Sequence, residues 1–127
     1  MREIKFRVWD NTIKKYIDSK YVSIDGFGLL HVAKHIVKNF FRPPHTRKNP
    51  WFIVEQYTGL KDKNGTEIYE GDILIDDIGE PIEHWVVKFS DGGFVGECAG
   101  VTEPLFELTN LEVVGNIHEN PELLEEK

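Results

Sequence analysis

The sequence predicts a mainly β protein of short antiparallel strands, with one short amphipathic helix and a C-terminal helical turn. Three observations carry that expectation. "EIKFRVW" at 3–9 alternates apolar and charged residues with the period of a strand that buries one face. From residue 51 onward, short apolar runs alternate with turn clusters ("DKNG", "EGD", "DDIGEP", "SDGG", "GVTEP", "TN"), the pattern of a small antiparallel barrel or sandwich. A single stretch, "LLHVAKHIVKNFF" at 29–41, changes to helical spacing.

Taken in order, the first strand puts Ile4, Phe6 and Val8 on one face and Lys5, Arg7 and Trp9 on the other. "DN" at 10–11 supplies a turn, and "KYIDSKYVSI" at 15–24 follows as one return strand or two short ones. "DGFG" at 25–28 is a second turn. Over 29–40, Leu29, Val32, Ala33, Ile36, Val37 and Phe40 recur at helical spacing, although Val32, Ile36 and Val37 also suit a strand. "RPPHTRKNP" ends any helix there, because proline lacks the N–H and clashes with the preceding turn. "WFIVEQY", "EIY", "ILID", "WVVKFS", "FVGEC", "LFEL" and "LEVVGNI" are the expected strands beyond it. Asn64-Gly65 predicts a tight hairpin turn, both residue types tolerating positive φ. Gly71 allows a turn or bulge between "EIY" and "ILID". In "NPELLEEK", Asn120 is expected as N-cap and Pro121 as the first residue of a terminal helical turn.

The 127 residues fit one domain with two lobes: a basic lobe over 1–50 and an acidic barrel-like lobe over 51–119, followed by the turn at 120–127. Hydrophobic content of 40% with 12% aromatics is too rich for a disordered chain. No run approaches the roughly 18 apolar residues of a membrane span. Cys98 is the only cysteine, which excludes an internal disulfide and fits a reducing compartment. The expectation is a cytoplasmic protein. A net charge of −7 disfavours nucleic acid, whose binding requires Lys and Arg to displace counterions. That average conceals a segregation. Residues 1–50 hold eleven bases and four acids, +7, whereas residues 51–127 hold four bases and eighteen acids, −14, which together give −7.

The acids Glu67, Glu70, Asp72, Asp76 and Asp77 are the densest candidates for a metal site or an acid–base pair. Strand geometry sends residues at odd spacing to opposite faces, and the spacing is not that of an EF-hand loop, so a structural role is expected. Cys98 with His84 or His118 is a conceivable nucleophile and base, but a cysteine closing "FVGEC" is more simply a small core residue. His31 and His35 lie four apart without the intervening glutamate of a zinc protease helix, since Val32 stands there. No metal or other cofactor is expected, and no catalytic motif is found. The strongest candidate interaction surface is the basic set His31, Lys34, His35 and Lys38 on one helix face, continued by Arg42, Arg47 and Lys48. Phe40, Phe41 and Trp51 beside it are expected in the core.

Three blocks carry a resemblance: "MREIKFRVWD", "QYTGLKDKNGTEIYEGDIL" at 56–74 and "EVVGNIHENPELL" at 112–124. In this order and separation they resemble the YopX family of phage and prophage proteins. The resemblance covers roughly a third of the chain and says little about 11–50. It implies an all-β fold with a small SH3-like barrel element and supplies no catalytic residues. It also implies that 56–74 is scaffold, with Tyr57, Leu60, Ile68, Tyr69, Ile73 and Ile75 as apolar content and Gly59, Gly65 and Gly71 setting backbone geometry. Two function classes follow: a non-enzymatic phage accessory module that binds a host or phage macromolecule as a homo-oligomer, and a small phage enzyme acting on nucleotides or nucleic acid.

Overall fold

The computed structural model describes residues 3–24, 26, 30–32, 52–76, 82–108 and 110–125. It is mainly β, with antiparallel sheets, one of them curled into a half-barrel, and no long helix among the described residues. The chain divides into two compact units, Phe6–Glu55 and Met1–Lys5 with Gln56–Lys127.

In the Phe6–Glu55 unit, β1 (Phe6–Asp10) and β2 (Lys15–Tyr16) form a hairpin in the register Trp9↔Tyr16 and Asp10↔Lys15. Asp10 makes the turn by accepting from Thr12 N at 2.8 Å, so the expected "DN" turn is present with the aspartate as its acceptor. The alternation expected for β1 holds only in part. Val8 is buried, but so is Trp9, while Phe6 stays 40% exposed. Trp9 is covered because its ring meets Tyr16 edge-on at 5.0 Å and its Nε1 donates to Asn11 Oδ1. A 3-10 turn at Ser19–Tyr21, capped by Asp18, leads into β3 (Val22–Ile24). This strand pairs with β4 (Leu30–Val32) in the register Val22↔Val32, Ser23↔His31 and Ile24↔Leu30. Leu30–Val32 is therefore strand where the helical expectation for 29–40 placed its first turn, because Leu30 faces the core of this unit with Val8, Ile17 and Phe52. Residues 33–40 lie outside the described residues.

The longest strand, β5 (Phe52–Lys61), contributes to both units; its first half neighbours β1 in the sheet and its second half pairs with β6 (Glu67–Tyr69). The Gln56–Lys127 unit continues with β7 (Asp72–Asp76), β8 (His84–Ser90), β9 (Gly93–Cys98), β10 (Val101–Pro104) and β11 (Leu111–Asn116). These five form an antiparallel sheet in the order β10-β9-β8-β7-β11, a meander whose last strand returns beside its first. Ile68, Leu74, Trp85, Val87, Leu105 and Leu111 make the core of this unit. Two boundaries differ from expectation. "GVTEP" is not a separator, because Val101–Pro104 pairs with β9 as β10; "LFEL" is not a strand, because Leu105–Glu107 forms a 3-10 turn that plugs Leu105 into the core.

Stretch 56–74 is built as architecture. Gly59, Gly65 and Gly71 all have φ between +84° and +87°, as expected of residues that set backbone geometry. The hairpin is longer than a two-residue turn. Asp62 opens it, Gly65 N donates to Asp62 O, Asp62 N donates to Thr66 O, and only Gly65 of the Asn-Gly pair has positive φ. The loop is thus a turn closed by a left-handed glycine bulge, the next commonest hairpin connection. Of the apolar residues expected inside, Tyr57, Ile68 and Ile73 are buried and Tyr69 and Ile75 half-buried, but Leu60 is 38% exposed. At the chain end Pro121–Leu124 forms the expected turn as a 3-10 helix. Asn120 occupies the cap position without capping, since its Oδ1 accepts from Asn116 N instead.

Candidate functional site

Three of the four acids of 56–74 are occupied by the main chain, and Glu67 by a lysine side chain. Glu70 Oε1 accepts from Gln56 N at 2.7 Å, Asp72 Oδ2 accepts from Tyr69 N at 2.8 Å, and Glu67 receives Lys5 Nζ at 2.5 Å. Glu3 also reaches Lys5, and with Glu67 it holds the Lys5 ammonium above its ordinary pKa. Asp62 is the most elaborately used. Its Oδ1 accepts from Asn64 N and Thr66 N at 2.9 Å each, and its Oδ2 from Val113 N at 2.9 Å, which joins the hairpin to β11. Burial pushes this carboxyl up, but the amides of Val113, Thr66 and Asn64, with the Lys63 charge, outweigh it and hold it below the usual aspartate range. These carboxylates are acceptors that fix turns, the same use helix caps make of short acids.

A groove opens beside that staple. Its volume is about 320 Å³ and its floor is Ile68, Leu105 and Leu111, three members of the core of the unit. Leu60, Phe106 and Leu108 form the walls; Lys61, Asp62, Lys63 and Asn110 form the rim. Phe106 is 76% exposed, the most exposed large apolar side chain among the described residues. The local cause is the 3-10 turn, which sends Leu105 inward and leaves the next side chain outside. Lys63 N donates to Leu111 O at 2.9 Å and fixes one side of the groove to β11, while Lys63 Nζ lies 3.6 Å from Glu112. The groove thus joins an apolar floor to a rim of two lysines and an aspartate whose oxygens are taken by main-chain amides.

The sulfur candidate is placed against nucleophilic use. Burial and the Glu83 carboxylate, to which Cys98 Sγ donates at 3.5 Å, push the thiol pKa up, whereas an activated cysteine needs it lowered. His84 opens β8, and His118 N donates to Asn116 Oδ1, so the backbone of His118 is part of the turn after β11. Among the described residues no group of three or more His, Cys, Asp or Glu side chains is arranged to hold a metal. Of the basic set singled out in the sequence, His31 lies exposed on β4 opposite Ser23, on a strand and not on a helix face. Lys34, His35, Lys38, Arg42, Arg47 and Lys48 lie outside the described residues, as do Asp77, Phe40, Phe41 and Trp51. The groove was not anticipated. Its walls come from Leu60 on β5 and from Phe106 and Leu108 at a 3-10 turn distant in sequence, and its one sequence signal is that two of the four bases after residue 50 are Lys61 and Lys63.

A comparison with curated proteins yields no match. Among solved structures, the crystal structure of protein EF1440 from Enterococcus faecalis is similar, with 28% sequence identity and a TM-score of 0.63. The similarity covers 98% of this chain and 100% of that one. The family model described as YopX protein matches residues 5–125, which takes in the eleven strands of the described residues and the groove. The chain belongs to the YopX family.

Proposed function

We propose that this YopX-family chain is a phage- or prophage-encoded accessory protein that acts in the cytoplasm of a bacterial host as a non-enzymatic macromolecule-binding module. The observation that carries the proposal is Phe106, 76% exposed at the lip of a groove with a buried apolar floor. An exposed aromatic beside a desolvated pocket is the arrangement that contributes most to protein–protein binding. The antiparallel meander β7–β10 with β11 returning beside β7 supports an SH3-like barrel element, and such barrels bind through grooves and loops, which is an analogy of fold. The net charge of −7 favours a protein partner over nucleic acid. The basic set His31, Lys34, His35, Lys38, Arg42, Arg47 and Lys48 is proposed as a second contact surface.

The test is a photo-crosslinking phenylalanine placed at Phe106 of the full chain, expressed in infected bacteria, with exposed Thr102 as the control position. The proposal expects a light-dependent protein adduct at 106 and none at 102. No adduct at 106, together with turnover of a nucleotide or oligonucleotide by the purified chain, favours the alternative of a small phage enzyme.

A further inference from the structure

The Asp62 turn holds the chain's one asparagine–glycine pair. Of the seven asparagines, Asn64 alone is followed by a residue without a Cβ. Asn64 is exposed. The space around Gly65 is open, since a Cβ built there meets no heavy atom within 4 Å. An asparagine in this setting has an electrophile and a nucleophile side by side. The electrophile is its own side-chain carbonyl carbon, Cγ. The nucleophile is the main-chain nitrogen of the glycine, which no side chain shields.

The closed turn keeps the two from reacting. Gly65 N donates to Asp62 O at 3.0 Å, so its N–H points at Asp62 and its proton is held. Asn64 N and Thr66 N, on either side, both donate to Asp62 Oδ1 at 2.9 Å. Val113 N on β11 in turn fixes Asp62 Oδ2 at 2.9 Å. One aspartate thus clamps three consecutive amides, those of Asn64, Gly65 and Thr66. Attack needs Gly65 N to give up its proton and swing toward Cγ, which breaks the bond to Asp62 O. Opening one exposed turn costs less than unfolding the sheet behind it, so the folded chain reaches that state.

We propose that Asn64 is a self-modification site of the folded chain, at which opening of the Asp62 turn lets Gly65 N displace ammonia from the side-chain amide. The nitrogen bonds to Cγ, the Cγ–Nδ2 bond breaks, and the proton lost by Gly65 N ends on the departing ammonia by way of water. The product is a cyclic imide, which water opens in either of two places. Cleavage of the new N–Cγ bond leaves an aspartate at position 64. Cleavage of the original peptide bond leaves an isoaspartate, with the main chain running through Cγ. Both routes consume one water, release one ammonia and add one negative charge. The isoaspartate also lengthens the main chain by a methylene between Asp62 and Thr66, whose closure depends on Asp62 N donating to Thr66 O at 2.8 Å. Conversion therefore loosens the turn and is not reversed by reclosing it.

The experiment incubates the full-length chain at neutral pH, folded in buffer and unfolded in guanidinium chloride, and follows each asparagine by peptide mass mapping. The folded chain is expected to convert first at Asn64, and more slowly than the unfolded one. Hydrogen exchange at the Gly65 amide reads the same opening. Its slowing in the folded chain and the slowing of conversion should therefore agree to within roughly tenfold. Asp62→Asn, with folding checked by circular dichroism, should convert at position 64 roughly tenfold faster, because bonds to a charged acceptor become bonds to a neutral one. A folded chain that stays intact at Asn64 while the unfolded chain is fully converted overturns the proposal, as does conversion led by another asparagine. Conversion as fast folded as unfolded overturns it too, because Asp62 then gates nothing. A folded Asp62→Asn chain that converts at the wild-type rate has the same force. Should that variant fail to fold, the exchange comparison decides alone, since it needs no substitution, and a disagreement beyond roughly tenfold rejects the proposal.

Discussion

Two buried acids, one in each unit, are held by opposite means. Asp62 is 8% exposed and gives its oxygens to three main-chain amides, two of them within four residues in sequence. Glu55 is 3% exposed, and its Oε1 receives side chains, Arg7 Nε at 2.8 Å and the Tyr16 hydroxyl at 2.9 Å. The Arg7 guanidinium also stands 4.6 Å from the centroid of the Tyr16 ring, so charge, hydrogen bond and cation–π contact share one cluster. The difference lies in what each acid organises. Asp62 sets backbone conformation and through it the groove beside the hairpin, whereas Glu55 ties together side chains of strands distant in sequence.

The largest expected effect comes from Asp62→Ala. It leaves three amides without their acceptor, at a cost on the order of 3 kcal/mol in urea unfolding, since each buried unsatisfied donor costs about 1–3 kcal/mol and the turn amides can partly rehydrate. A loss below about 1 kcal/mol breaks the comparison. Glu55→Ala should cost about 2 kcal/mol. That is less than full burial of the pair would give, because the Arg7 side chain remains 22% exposed and can reach water. If this loss exceeds that of Asp62→Ala, the side-chain cluster is the stronger anchor and the ranking reverses. Gly65→Val has open space around its new Cβ and still forces φ of +84° on a β-branched residue, at about 1–2 kcal/mol by chemical denaturation. An unchanged midpoint removes the left-handed glycine from the account of the turn. The smallest effect is expected from millimolar magnesium, manganese or calcium, which should leave the melting temperature in place. A specific site would stabilise by about 2.7 kcal/mol at a hundred times its dissociation constant. A saturable rise abolished by Glu70→Gln contradicts the assignment of Glu70 to the Gln56 amide.

The same contrast explains what the sequence exposes and what it hides. The Asp62 turn is visible in "DKNGT" because its partners are local; a short acid, an Asn-Gly and a following threonine are enough to place a loop, though not to tell a two-residue turn from a glycine bulge. Strands β5 to β9 and β11 are visible for the same reason, as apolar runs between turn residues. The Glu55 cluster is invisible, since Arg7 and Tyr16 lie 48 and 39 residues away, and nothing in "WFIVEQY" announces a buried ion pair. Trp9 and Phe6 reverse their expected exposure because a cross-strand aromatic contact, not alternation, decides which one is covered. Leu30–Val32 joins β3 although its spacing is helical, a case of tertiary pairing overriding local period. The groove is hidden most completely. "LFEL" has the composition of a strand, and only the core's acceptance of Leu105 turns it into a 3-10 turn that strands Phe106 outside.

The central claim is that Asp62, Glu70 and Asp72 serve the backbone as charged acceptors, and Asp62→Asn tests it most directly, because it keeps the shape and removes the charge. Asp62 is held below the ordinary aspartate range. A carboxylate lowered in this way contributes stability above its unfolded pKa and loses it as pH falls through its folded value. The measurement is the unfolding free energy of the wild type and of Asp62→Asn from pH 7 down to pH 3. The account predicts a wild-type advantage that is largest at neutral pH and shrinks as the solution drops below the pKa of an unfolded aspartate, about 3.9. An advantage that is constant across the range, or that grows toward acid, contradicts it.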